Sequence, residues 1–233
     1  MLTLALDTSS PAVSVALVDL LPGAPGSADP PRWGRQAAWQ VVDGAKHGEL
    51  LATGIAAVLA ELAVSPADLA AVVVGLGPGP FTGLRVGVVT AAAMADALSI
   101  PAYGVCSLDA VADWDEDRPR VVVTDARRKE VYWAEYAGDG ERLAGPSVLT
   151  PAALQAALAE TGWDGAVVGA GAVHYALAGA TGPLHPAADL LVLLAAGRVL
   201  AGAPGEALVP LYLRRPDATP PSGPRRAARR VSP

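Results

Sequence analysis

A single cysteine, Cys106, stands in 233 residues, which excludes a disulfide framework and any zinc site built from thiolates. A lone thiol suits a reducing compartment, and Cys106 itself is expected to be a small buried apolar side chain. Histidine is scarce as well: His47, His174 and His185 complete the set. His47 opens the window His47-Gly48-Glu49-Leu50-Leu51. Its fourth following place is Leu51, so the paired imidazoles of a helical metal site are missing there. No Gly-Lys pair occurs, which removes the Walker A phosphate loop. The dinucleotide fingerprint fails too, because the sixth place after Gly75 and Gly77 is Pro80, and after Gly169 and Gly171 it is His174. A Gly-x-Ser-x-Gly nucleophile elbow is also lacking. The start, Met1 to Asp7, has no basic stretch and carries an acid at position seven, unlike a signal peptide. Apolar runs such as Leu190 to Gly197 stop well short of the ~20 residues of a membrane span. A soluble cytoplasmic protein is expected.

Hydrophobic residues make up 52% of the chain, enough for a compact α/β core in one or two lobes. The net charge of −6 is unevenly spread. From Arg214 onward there are six arginines against one acid, Asp217; the preceding residues hold 11 basic and 22 acidic side chains. A body that acidic repels phosphate backbones, so any RNA is expected to be held mostly by another subunit. From Pro216 the chain has five prolines and four arginines, the composition of a disordered, solvated tail.

Thr3 to Leu6 and Val13 to Val18 are β-prone around the turn residues Asp7-Thr8-Ser9-Ser10-Pro11. Leu21 to Arg35 is proline- and glycine-rich and reads as a loop; Gln36 to Val42 reads as a third strand. Lys46 to Leu62 is helical by its three- and four-residue apolar steps, and Ser65-Pro66 opens a short turn or helix. Ala71 to Val74 is a buried strand. Thr82 is placed to cap a second helix that reaches about Leu98. Ala187 to Ala201 forms a last helix and Leu208 to Leu213 an extended segment.

The second half repeats the first. Leu4-Ala5-Leu6-Asp7 then Val13-Ser14-Val15-Ala16 matches Val122-Val123-Thr124-Asp125 then Val131-Tyr132-Trp133-Ala134. Val72-Val73-Val74-Gly75-Leu76-Gly77 matches Ala166-Val167-Val168-Gly169-Ala170-Gly171. Two landmarks in one order indicate a duplicated lobe. Asp7 and Asp125, at matching strand ends, are either a carboxylate pair across a cleft or turn residues that bond their own backbones.

The Gly75 to Val88 loop is a poor phosphate cradle, since Pro78 and Pro80 lack N–H donors. Its glycines fit positive φ angles and close backbone approach. In the second helix Gly83, Gly87, Ala91 and Ala95 recur every fourth residue. This small-residue stripe either packs on the protein's own sheet or admits a partner helix.

Four stretches then resemble the TsaB (YeaZ) family of tRNA threonylcarbamoyladenosine biosynthesis proteins: Leu4 to Ser9, Gly77 to Gly87, Asp125-Ala126-Arg127 with Glu130 to Ala134, and Val209 to Arg214. The likeness runs in order from about Leu2 to Arg215. It departs from the family pattern in a longer Leu21–Arg35 loop and in the tail. The resemblance implies an α/β fold of the actin-like type (ASKHA, ribonuclease H-like), with duplicated lobes of mixed sheets flanked by helices. The lobes are expected at 1–104 and 105–186. Residues 187–215 would pack back on the first lobe, and 216–233 would be the tail. It implies a part in making N6-threonylcarbamoyladenosine at position 37 of tRNAs reading codons that begin with A. In the family, TsaD performs the transfer with a metal on His-x-x-x-His, and TsaB is its inert partner. The resemblance implies pairing with TsaD through two first-lobe helices, self-association through the same surface, and recruitment of the ATPase TsaE. Transfer RNA would be met only through the complex, and no membrane is involved. Partner-interface candidates are Leu50, Leu51, Gly54, Val58, Gly83, Arg85, Gly87 and Ala91. No cofactor is expected to be held tightly; ATP or ADP would lie near the junction, with Asp7, Thr8 and Ser9 as candidates for contacting it. The alternatives are a metallopeptidase-like or kinase-like enzyme of the same fold, or a homodimeric module with another client.

Overall fold

The computed structural model describes residues 1–22, 32–112 and 117–214. The first sheet is built from β1 (Leu2–Asp7), β2 (Ala12–Leu21), β3 (Arg32–Val42), β4 (Ala71–Gly75) and β5 (Ala102–Val105). Its spatial order is β3-β2-β1-β4-β5. The second holds β6 (Arg120–Asp125), β7 (Val131–Tyr136), β8 (Arg142–Leu149), β9 (Ala166–Val168) and β10 (Ala180–Thr181). Read from its other edge, its order is β8-β7-β6-β9-β10. Both sheets therefore have one topology. Three antiparallel strands come first, and a fourth returns parallel to the opening strand. A fifth lies parallel beyond it. The echo in the sequence is a duplicated α/β lobe, as the resemblance implied.

Layering explains why the first sheet's strands are nearly all apolar, for a sheet covered on both faces buries every side chain. Leu4, Leu6, Val15, Leu17, Val72 and Val74 face α1 (His47–Glu61) and α2 (Phe81–Leu98). On the other face Ala5, Ala16, Ala71 and Val73 meet α5 (Ala188–Leu200). The alanines there let Leu191, Val192, Ala195 and Val199 sit close to the sheet. The second sheet carries α3 (Pro151–Glu160) and α4 (Ala170–His174) on one face. Its other face packs on Cys106 to Ala112 and on Leu211 and Leu213. The segment after α5 thus runs from the first sheet to the second. Glu206 N–H donates to the Ala102 carbonyl at 2.9 Å and Leu211 N–H to the Leu76 carbonyl at 2.8 Å.

Three readings of the sequence need adjustment. Arg32 to Arg35 belong to β3 rather than to a loop; 23–31 lie outside the described residues, as does the tail from 215. The cap of α2 is Pro80, in extended conformation, and Thr82 lies within the first turn. Proline suits this place because its carbonyl accepts the Leu84 N–H at 3.0 Å while no N–H of its own is needed. Finally, α2 is an 18-residue helix apolar enough by composition to cross a membrane, yet its Gly83, Leu84, Val88, Ala91 and Ala95 are buried within the chain.

Candidate functional site

The turn after β1 is densely hydrogen-bonded. Asp7 is buried, and its Oδ1 accepts from the Ser9 N–H and hydroxyl, both at 2.8 Å. Its Oδ2 accepts from Ser107 Oγ at 2.5 Å, and Ser107 Oγ accepts the Gly77 N–H at 3.0 Å. Burial raises the Asp7 pKa above the ordinary carboxylate value, and these hydrogen bonds oppose the rise. A side chain at Gly75 would overlap the Asp7 carboxylate, and one at Gly79 would overlap the Ser9 carbonyl. Gly77 has φ +86°, a conformation other residues adopt only at a cost. The glycine loop is therefore shaped around the β1 turn.

Thr8 accounts for the stripe on α2. Its hydroxyl donates to the Gly83 carbonyl at 2.7 Å and accepts the Gly87 N–H at 3.0 Å. These are the two peptide groups that face each other across one helical turn. A threonine has been inserted into the helix ladder. A Cβ on Gly87 would lie 2.6 Å from Thr8 Oγ1, and one on Gly83 would lie 2.9 Å from the Thr8 carbonyl. The stripe is packed on its own chain.

Most of the expected partner-interface residues lie inside the chain in this structure. Leu51, Val58 and Ala91 are core residues, and Gly54, Gly83 and Gly87 are buried; a side chain at Gly54 would run into the Trp39 ring. Leu50 is half-buried. Arg85 is exposed, but its guanidinium lies 4.0 Å from the Phe81 ring centroid and donates to Tyr212 Oη at 3.0 Å. The solvent-facing side of the two helices carries other residues: Ala52, Thr53, Ala56 and Ala60 on α1, and Val89, Ala92, Ala93 and Ala97 on α2. Val89 is 63% exposed. Beside them an open groove of about 890 Å³ is lined by Val88, Val89, Ala92, Asp96, Ile100 and Leu208. Sequence reading found both helices but chose their inner faces, since the apolar steps that reveal a helix mark its buried side.

Asp7, Thr8 and Ser9 are all buried and bonded within the chain. A crevice of about 200 Å³ next to them is lined instead by Ser10, His47, Thr82, Gly83, Val86 and Arg127. The start of α1, the start of α2 and the β6–β7 turn converge there. His47 donates through Nε2 to the Ser10 carbonyl at 2.8 Å. Asp125 repeats the role of Asp7: its Oδ1 accepts the Arg127 N–H at 3.0 Å and the Tyr175 hydroxyl at 3.1 Å. Both aspartates bond their own turns, as the second of the two readings has it. Cys106 is buried, with its pKa pushed up to about 12 by burial and then by Asp109. His174 stacks edge-on against Tyr175 at 4.6 Å. His185 is held below the usual imidazole range by burial. Among the described residues, no three His, Cys, Asp or Glu side chains converge on a common point.

Comparison with known proteins places these features in a lineage. Residues 42–172 match the family model of TsaD, tRNA N6-adenosine threonylcarbamoyltransferase. An uncharacterized protein of Mycobacterium tuberculosis is 44% identical over 220 residues, 93% of each chain. The Escherichia coli tRNA threonylcarbamoyladenosine biosynthesis protein TsaB is 35% identical over 98 residues, 40% of this chain and 42% of that one. The solved structure of YeaZ from Pseudomonas aeruginosa superposes with a TM-score of 0.69 at 26% identity, covering 91% of this chain and 99% of that one. A second structure, described as an uncharacterized protein with similarity to peptidase YEAZ from the same organism, gives a TM-score of 0.71 at 28% identity.

Proposed function

Because this chain belongs to the TsaB (YeaZ) family, we propose that it serves the threonylcarbamoylation of adenosine 37 in tRNA as a docking subunit without transfer chemistry of its own. Its partner in this reading is TsaD, with TsaE joining the pair in the cytoplasm. The observation that carries it is the outward side of α1 and α2, where Ala52 and Ala56 on α1 and Val89, Ala92 and Ala93 on α2 are exposed. Small side chains such as these admit the backbone of a second helix pair closely. Leu51 supports the division of labour. The place one turn after His47 is filled by an aliphatic side chain locked into the core, where a catalytic relative would need a ligand. The same outward side on a second copy gives the homodimer, in competition with TsaD. ATP or ADP near the junction would meet the crevice at Ser10, His47 and Arg127 rather than Asp7 to Ser9.

Reconstitution tests the reading. Modified adenosine is measured on a tRNA reading an A-initial codon, with TsaD, TsaE and the enzyme that makes threonylcarbamoyl-adenylate. The reading predicts product only when this chain is added, and none from this chain without TsaD. Transfer by this chain alone would refute it.

A further inference from the structure

The two lobes meet through connecting segments. Counting α5 with the first lobe, among the described residues no helix or strand of one packs extensively on one of the other. Without a broad apolar interface, relative motion of two such units is the ordinary expectation. Residues 106–112 and the chain before α5 form one junction. There Ser107 Oγ donates to Asp7, the Ala187 N–H to the Ala110 carbonyl at 3.2 Å, and Ser14 Oγ to the Pro186 carbonyl at 2.7 Å. The segment after α5 is a second tie. On the first lobe its Leu211 N–H donates to the Leu76 carbonyl, and Tyr212 lies 5.2 Å from the Phe81 ring and accepts from Arg85. On the second, Leu211 and Leu213 pack against the sheet. Arg214 then grips the β6–β7 turn. Its Nη1 donates to the Ala126 carbonyl at 2.7 Å, before the turn, and its Nη2 pairs with the Glu130 carboxylate, after it. One planar guanidinium spans the base of the turn. That turn needs a brace: Arg127, Arg128 and Lys129 are left-handed in succession, with φ of 63°, 53° and 60°, which side-chain-bearing residues adopt at a cost. The turn is also one wall of the crevice at the starts of α1 and α2. Of the residues that line it, Arg127 alone comes from the second lobe.

We infer that the segment from Glu206 to Arg214 is a latch between the lobes. Arg214 holds the β6–β7 turn, and Arg127 with it, at the mouth of the crevice. Releasing Arg214 lets the second lobe swing away from the first, and the crevice opens. Arg214 is a positioning residue in this device and acts through the turn. The latch is made to let go. The side chains of its ion pair are 27% and 34% exposed, and partly solvated pairs of this kind contribute little. The latched and released forms are therefore close in free energy, and removing one partner shifts their populations measurably. The inference concerns the chain by itself and does not depend on the proposed role.

The test measures the separation of the lobes in the full chain by pulsed dipolar EPR. Spin labels are carried by Glu61→Cys at the end of α1 and Ala156→Cys on α3, both exposed positions. Cys106 is buried and is expected to take no label. With Arg214 and Glu130 in place, one narrow distance distribution is expected. Arg214→Gln is expected to add a population at longer distance. Glu130→Ala leaves the bond to the Ala126 carbonyl and is expected to add a smaller one. The double variant should match Arg214→Gln, since the two residues act as one unit. Backbone hydrogen exchange over 126–130 should quicken in the same order. Distances unchanged in both single variants overturn the inference even if exchange quickens, because Arg214 then braces the turn alone. A distribution already broad with the latch intact overturns it too, because the lobes then move regardless. If Arg214→Gln melts early, Glu130→Ala decides by the same criterion.

Discussion

At the scale of single residues, Thr8 and the two glycines it meets are a unit. Replacing Thr8 by valine keeps the shape and removes both hydrogen bonds to α2. The urea midpoint is expected to fall by the equivalent of ~1–3 kcal/mol, with Thr8→Ser recovering most of it. Gly87→Leu belongs to the same prediction: its side chain has nowhere to go but into Thr8, so it should unfold the protein rather than merely uncouple a partner. Asp7 makes a pH prediction. Its folded-state pKa is raised by burial above the ordinary 3.8, so the protonated form favours folding. The contribution is complete below the unfolded value and is lost as pH climbs through the raised one. The stability of wild type relative to Asp7→Asn should therefore decline as pH rises from the acidic range towards neutrality, measured by urea unfolding at each pH. The sequence made these glycines legible as close approaches, and Gly75, Gly77 and Gly79 bear that out. What Gly75 and Gly79 approach was not legible, because Asp7 and Ser9 lie some seventy residues away and meet them only in the folded chain.

At the scale of elements, apolar patterning located α1, α2, α5 and the strands β1 to β4, β6, β7 and β9, since burial on one face or two leaves its mark in residue order, while β5, β8, β10, α3 and α4 went unread. It could not show which side of a helix meets a partner. Small residues at every fourth place read equally as an inner or outer seam, and here Gly83, Gly87 and Ala91 are inner. The outward alanines carry no sequence signal beyond helix propensity. The consequence is testable: Ala56→Glu with Ala93→Glu places two charges on exposed positions. Thermal unfolding of the double variant should stay within a few degrees of wild type, as surface changes usually cost within ~0.5 kcal/mol. Its co-elution with TsaD should be lost. The β3 strand shows the opposite failure of reading: proline and glycine before Arg32 suggested a loop that the pairing of Asp19 to Leu21 with Arg32 to Gly34 overrides.

At the scale of the whole molecule, two sheets of one topology are joined by a strap that leaves α5, crosses at Glu206 and Leu211, and ends with Arg214 on the β6–β7 turn. Tyr212 on the strap meets both Phe81 and Arg85 in the first turns of α2. The duplication was visible from two short echoes; Leu208 to Leu213 was legible as an extended segment, but its packing of Leu211 and Leu213 on the second sheet was not, because an extended segment with no regular ladder leaves no period to detect. In the proposed role, the outward ridge is what makes modification possible. The most direct test is the yield of threonylcarbamoyladenosine in the reconstituted system with folded Ala56→Glu, Ala93→Glu protein in place of wild type. Loss of product together with loss of TsaD co-elution is predicted; full yield with the double variant would contradict it.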